Sequence, residues 1–306
     1  TSTPLSNHTS TLLNMLILTK RCPMTAAINP SLTQQTASHH HDLKVRQMNF
    51  GLKDIPEFWY DNDPFKTLLL SALSGGFPAG EHFFIHSIRH FQDQVKDPEL
   101  RQAVRAFIGQ EAHHSKEHEV LNDLMIKHGY SIDRIDRNVA FAMKWYKTYL
   151  SPARQLAHTA AVEHFTALMA EEYLFNTDEL DKMDPRLAPL WAWHAIEETE
   201  HKAVAFDVYK ATVNNEWIRL SQMAICTVMF LGFSTYDFMT LMRESGRSGD
   251  VKMWAKGINY YWGTKGIFRK MIPSYFKYYR KDFHPWQHNS QSMVDKLKAK
   301  YLGDKA

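Results

Sequence analysis

The sequence predicts an all-α protein, a helical bundle with additional C-terminal helices, and three observations predict it. From Asp63 onward apolar residues recur at helical spacing, while the two-residue alternation that argues for strands is scarce. Pro stands at the first turn of four segments, in Asp63-Pro64, Asp97-Pro98, Ser151-Pro152 and Asp184-Pro185, each time after a residue type suited to cap a helix. The long segments are joined by short connections or one smaller helix, as in a bundle, and no fixed short repeat suggests a solenoid.

Residues 1–45 open with "TSTPLSNHTSTLLNMLILTKRCPM", an apolar run with no basic residue before it, which reads poorly as a signal peptide. Ser/Thr/Gln-rich sequence follows, so this segment is expected to be mobile, with His39, His40 and His41 at the surface. Residues 46–215 are expected to form the bundle. "DPFKTLLLSAL" starts its first helix, which "SGGFPAG" should interrupt before "EHFFIHSIRHFQDQV" resumes. The segment from Asp97 to Gly129 is long enough to cross a domain, and Gly129 suits the position just past a helix end. "SIDRIDRNVAFAMKWYKTYL" is shorter, "SPARQLAHTAAVEHFTALMAEEYLF" is long, and "DPRLAPLWAWHAIEETEHKAVAFDVYKATVN" reads as one helix ending near Asn214-Asn215.

Residues 216–306 differ in character. Ser221 to Met242 holds a single charge, Asp237, and its length would allow a membrane span, but Thr, Ser, Gln and Tyr dilute the apolar signal. A helix buried in the bundle or lying at an interface is the expectation. "INYYWGTKGIFRKMIPSYFKYYRKDFHPW" interleaves aromatic and basic residues, which suits a membrane surface or aromatics packed on the bundle with the lysines in water. The second is the expectation, and peripheral membrane contact is its alternative.

Composition excludes some classes. A net charge of +3 over 306 residues gives no case for a nucleic-acid partner. Cys22 and Cys226 make neither a disulfide framework nor a CxxC metal motif, so a reducing, cytoplasmic setting is the default. The 17 histidines direct attention to ligand spacing.

In "WAWHAIEETEHK", residues four and seven apart return to one helix face, so His194, Glu198 and His201 form a stripe. Trp191, Trp193, Ile196, Val204, Phe206 and Val208 make that helix costly to leave in water. Glu198-x-x-His201 has a counterpart in Glu111-x-x-His114. Chance alone gives about 0.8 such pairs in this composition, so the pairs by themselves decide little. Their order decides more, because single glutamates, Glu81 and Glu163, stand on the segments that precede each pair. The sequence Glu81, Glu111-x-x-His114, Glu163, Glu198-x-x-His201 on four helices is the ligand plan of a ferritin-like dinuclear carboxylate site. Four carboxylates offset the charge of two divalent cations in a low-dielectric core, and imidazoles complete shells that suit iron or manganese.

Neighbouring residues carry weaker expectations. His118 is either a partner behind the ligands or part of a solvated face, and Glu197, Glu200 and Lys202 stand behind the ligands or in solvent. Glu171 and Glu172 are expected to be non-ligands, and His82, His86, His90, His113 and His164 to pack, support or face water. Phe83, Phe84, Phe107, Phe165, Trp191 and Trp193 are candidates for an apolar wall, with plain core as the commoner role for such stripes.

On these residues the stretch from Asp63 to Asn214 resembles the ferritin-like di-iron carboxylate proteins. With His194 the last ligand helix reads His-x-x-x-Glu-x-x-His, which is similar to the bacterial arylamine N-oxygenases. Wording such as "EETEHKAVAFDVY" is also similar to a bacterial family described as predicted metal-dependent hydrolases. The resemblance implies seven ligands, Glu81, Glu111, His114, Glu163, His194, Glu198 and His201, holding two iron ions, with manganese or zinc as alternatives. It implies that dioxygen is activated to oxidise or oxygenate an organic substrate with the help of an electron donor, but it carries no substrate with it. The apolar wall candidates make a small hydrophobic molecule the expectation, and a homodimer is an expected assembly. The competing expectation is hydrolysis by a metal-activated water, although no HExxH, serine-elbow or aspartate-rich phosphatase pattern is present. The third is a non-catalytic iron-binding protein.

Overall fold

The computed structural model describes residues 43–175, 178–288 and 290–303. The expectations for residues 1–42, including the His39 to His41 run, lie outside the described residues. Among the described residues the chain is all-α, and β pairing is limited to one isolated bridge between Tyr60 and Met183. The helices are α1 (Pro64–Arg89), α2 (Pro98–Lys127), α3 (Ile132–Tyr149), α4 (Pro152–Met169), α5 (Ala188–His201), α6 (Val204–Thr212), α7 (Glu216–Glu244), α8 (Val251–Trp262), α9 (Ile267–Lys277) and α10 (Gln291–Leu297). Asp63 and Asp97 cap α1 and α2 through their carboxylates, as their Asp-Pro starts predict. Ser151 makes no side-chain cap, and Asp184-Pro185 forms a turn ahead of α5 instead of its first turn. Gly129 follows α2 with φ +98°, a backbone that glycine adopts without strain.

Two expectations about helix continuity are corrected. Gly75, Gly76, Pro78 and Gly80 do not interrupt α1, which runs unbroken for 26 residues. Pro78 lacks the N–H that would bond the carbonyl of Ser74, and Asn122 Nδ2 of α2 donates to that carbonyl at 3.0 Å instead. Gly75 lets α3 approach, since a Cβ there would stand 3.0 Å from Ile132 Cγ2 and 3.2 Å from Ile135 Cγ2. Gly75→Val is therefore expected to destabilise the fold by about 1–3 kcal/mol, read as a lower urea midpoint at unchanged slope. The second correction is a break at Lys202-Ala203, which divides the single helix expected from Asp184 onward into α5 and α6. Buried Lys202 sits at the break, with Nζ donating to Glu171 Oε1 at 2.5 Å and to the His288 carbonyl at 2.7 Å.

Two of the apolar clusters among the described residues bracket the middle of the bundle. One contains Leu68, Leu121, Leu168, Leu190 and Trp191, and the other Phe83, Phe107, Leu156, Val204 and Val208. Each ligand candidate lies between residues of the two clusters on its own stretch of chain. The mid-bundle section is thus walled by apolar layers above and below, which raises the cost of any unpaired charge inside it.

After the bundle, α7 packs along α4 and α1, α9 along α4, and α10 along α5. The expectation that α7 is buried holds for one flank alone. Met223, Cys226, Phe238, Leu241 and Met242 are buried, whereas Trp217, Val228, Leu231 and Tyr236 are exposed. Among the described residues α7 is also the one helix long and apolar enough to cross a membrane.

Candidate metal centre

The four helices α1, α2, α4 and α5 bring the seven candidate residues together in the middle of the bundle, all of them buried. One donor atom from each of Glu81, His114 and His194 lies within 4.8 Å of the others, and the same holds for Glu111, Glu198 and His201. Glu163 belongs to neither trio by that measure, but its Oε2 stands 3.4 Å from His201 Nε2. Glu198 is the hub: its Oε1 is 3.2 Å from His194 Nε2, 3.5 Å from His114 Nδ1 and 3.5 Å from His201 Nε2. Glu111 Oε1 closes the cluster at 3.1 Å from His201 Nε2.

Buried polar atoms without partners test whether these residues fit metal ions. Both carboxylate oxygens of Glu111 and of Glu163, Oε2 of Glu198, Nδ1 of His114 and Nε2 of His201 are buried with no hydrogen bond. Native proteins leave few such atoms unpaired, and here they are oxygen and imidazole donors in one cluster. Divalent cations would satisfy them, so the residues fit the group.

Hydrogen bonds behind the cluster set which imidazole nitrogen faces it. His114 Nε2 meets the Glu197 carboxylate at 3.1 Å, which places a proton there and turns Nδ1 toward the cluster. Glu197 is held in turn by Arg46 at 2.9 Å, and Arg46 also binds Glu200 at 2.7 and 2.9 Å. Gln110 uses its amide nitrogen on the Lys44 carbonyl, so its oxygen accepts from His201 Nδ1 at 3.0 Å and leaves His201 Nε2 free.

The third relay is the longest. Asn122 Nδ2 donates to the Ser74 carbonyl, so Asn122 Oδ1 accepts the Ser74 hydroxyl at 2.7 Å. With its proton committed, Ser74 Oγ accepts from His118 Nδ1 at 2.8 Å, which leaves His118 Nε2 to accept from His194 Nδ1 at 2.6 Å. His194 Nε2 is then the free nitrogen. His118→Phe breaks this relay, and metal affinity is expected to fall 10- to 100-fold, read by competition with a chelator while helicity stays unchanged.

The protein's own charges pull these groups apart. Burial pushes Glu81 up to about 8. Burial, followed by the charges of Glu163 and Glu198, holds Glu111 well above the usual carboxylate range, and burial with Glu198 does the same to Glu163. Glu198 lies well below that range because His201, then His114 and His194, outweigh its burial. Burial opposes protonation of His114, but the hydrogen bond of Glu197 and the nearby Glu198 carboxylate carry it up to about 10. His194 goes down to about 4 through burial and the neighbouring His114. Two dications among these carboxylates would favour all four in ionised form.

Several weaker expectations are now resolved. His118 is buried behind His194 and is not on a solvated face, and Glu197 and Lys202 are buried too. Glu171 pairs with Lys202 and stands apart from the cluster. His82 and His90 are exposed, His86 and His113 half-buried, and His164 packs on Tyr278 and Phe283. Of the aromatic wall candidates, Phe84 lines the main cavity and Trp191 a smaller one beside His194. Trp193 and Phe107 abut His114 and His201 at ring distances of 4.7 and 4.9 Å, while Phe83 and Phe165 are core. Arg46, Ser74, Gln110 and Asn122 carry no mark in the sequence, because no spacing rule picks out a lone polar residue that acts across helices.

A cavity of about 140 Å³ reaches the cluster at Glu81, His194 and Glu198. Most of its wall is apolar, with Ala72, Leu73, Gly76, Phe77, Gly80 and Phe84 contributed by α1. His158, also in the lining, goes down to about 4 through burial.

Fold and site together define an all-α protein with a buried Glu/His centre that could hold a pair of metal ions. The chain belongs to the family described as predicted metal-dependent hydrolase, whose model matches residues 44–289. Comparisons with curated proteins and with solved structures find no match.

Proposed function

We propose that the chain is a dinuclear metal enzyme, with iron as the metal, that uses dioxygen to oxidise or oxygenate a small hydrophobic molecule. The observation that carries this reading is the junction of the apolar cavity with the centre at Glu81, His194 and Glu198. Among its described lining residues there is no Lys or Arg to bind a phosphoryl or carboxylate group, so an apolar body suits the space. Asp237 of α7 is the carboxylate of the lining outside the cluster. Its Oδ1 is buried without a hydrogen bond, and burial raises its pKa, so a donor group on the substrate would satisfy it.

Two redox-active ions would supply electrons to dioxygen, which an electron donor outside the chain would restore. The chain's own part is to hold the ions with Glu81, Glu111, His114, Glu163, His194, Glu198 and His201. It also fixes three imidazoles through Glu197, His118 and Gln110, and excludes water with Phe77, Phe107 and Trp193.

Hydrolysis of a hydrophobic ester or amide by a metal-activated water is the second reading, and the family description favours it. One experiment separates them: metal content and turnover of hydrophobic amines, alkanes and esters, measured with and without oxygen. Iron with oxygen-dependent turnover is the expected result. Zinc with ester turnover that survives anaerobically would replace the first reading with the second.

A further inference from the structure

The surface opposite the packed flank of α7 forms a pattern that the centre does not require. Trp217, Ala224, Val228, Leu231 and Thr235 recur at helical spacing and are all exposed, Trp217 and Val228 by 74% and 72%. The two helices that follow repeat the device. Val251, Ala255, Ile258 and Trp262 form an exposed stripe on α8, and Ile272 and Phe276 stand exposed on α9. The three helices adjoin one another, α7 meeting α8 through Phe238 and Trp254 at 5.8 Å and α9 through Thr227 and Tyr275 at 2.8 Å.

Charge identifies what would cover this face. Residues 250–281 hold eight Lys and Arg against one Asp, and all eight basic side chains are exposed, two of them in ion pairs, Lys256 with Asp63 and Arg280 with Asp282. The core of a protein–protein interface is poor in lysine, whereas basic residues flanking an apolar helix face suit anionic lipid headgroups over acyl chains. Spanning does not suit α7, because its other flank carries buried Arg219 and Asp237 and packs on α4.

The cavity opens on the same helix. Its lining residues that retain exposure include Asn138, Val139 and Ala142 on α3 and Met229, Phe233 and Ser234 on α7. The mouth therefore lies between α3 and α7.

We infer that α7, α8 and α9 dock the protein on an anionic bilayer surface, and that the substrate is a bilayer-resident amphiphile whose apolar chain enters between α3 and α7. The substrate part of this inference rests on the reading given under Proposed function; the docking part does not.

The test uses the full chain with its metal and vesicles of phosphatidylglycerol or phosphatidylcholine. Co-sedimentation with phosphatidylglycerol should exceed that with phosphatidylcholine at least tenfold and weaken in 0.5 M salt. A spin label on Leu231→Cys should report burial in acyl chains. Val228→Asp and, separately, Arg269→Glu with Lys270→Glu should each lower binding at least tenfold with metal content and helicity unchanged. Absence of sedimentation overturns the inference, as does a label that stays in water. A particle of twice the 35.6 kDa chain mass that Leu231→Asp turns into monomer, without vesicle binding, would make the face a contact between copies and also overturn it. Metal assayed on the same samples keeps the two readings separable: docking without metal sinks the proposed enzyme alone, and metal without docking sinks this inference alone.

Discussion

Glu198→Gln is expected to empty the centre, from two metal ions per chain to fewer than one, and to cost the metal-free fold about 3–5 kcal/mol. Both effects come from one geometric fact. Glu198 Oε1 is the carboxylate oxygen that stands within 3.5 Å of all three imidazoles. It is ionised because those rings outweigh its burial, so removing its charge strands the proton that His114 carries. Glu111→Gln is the contrast. Burial and its carboxylate neighbours hold Glu111 well above the usual range, so the metal-free fold loses no needed charge and should be unchanged or more stable, while metal binding still falls. Elemental analysis and urea denaturation of both variants read the difference. Two ions retained in Glu198→Gln would remove Glu198 from the ligand set.

The second large effect is the pH response of the protein after chelation. Glu81 goes from the ordinary 4.5 up to about 8, so its contribution is complete below 4.5 and is lost as pH rises toward 8. His114, carried from 6.5 up to about 10, likewise loses its contribution as pH rises above 6.5. His194 acts in the other direction, because its folded value of about 4 costs stability as pH falls below 6.5. Between pH 6.5 and 8 the upward shifts dominate. The chelated protein should lose roughly 1.5–2 kcal/mol from Glu81 alone across that window, and more from Glu111 and Glu163. Thermal unfolding should show a midpoint that falls with pH, and two equivalents of Fe(II) or Mn(II) should raise and flatten it. A flat profile without metal would mean that the carboxylates are not crowded as described.

That the seven candidate residues would converge was legible because helical geometry turns sequence spacing into position. His194, Glu198 and His201 share a stripe by arithmetic, and the order of Glu81, Glu111, His114 and Glu163 fixed the remaining contributions. The residues that orient them were not legible. Gln110 and Ser74 have no neighbour in the sequence that marks them, and their roles exist once α1, α2 and α5 are side by side. The region around Gly75 and Pro78 misled in the same way, since local rules read it as a break while Asn122 and α3 supply what α1 lacks there. For α7, composition measured how apolar the helix is but not which flank would find a partner.

Pro78 has a consequence beyond helix continuity. The carbonyl left open by that missing hydrogen takes the Asn122 amide as its donor, and the relay follows from it: Asn122 Oδ1 accepts from Ser74, and each imidazole down the line holds its proton on the side away from the centre. Restoring the missing amide hydrogen with Pro78→Ala would give the Ser74 carbonyl a second donor, and Asn122 would then share that carbonyl through its other lone pair. A residue usually counted against a helix here serves as the grounded end of a proton wire, and the lone pair of His194 Nε2 is its output.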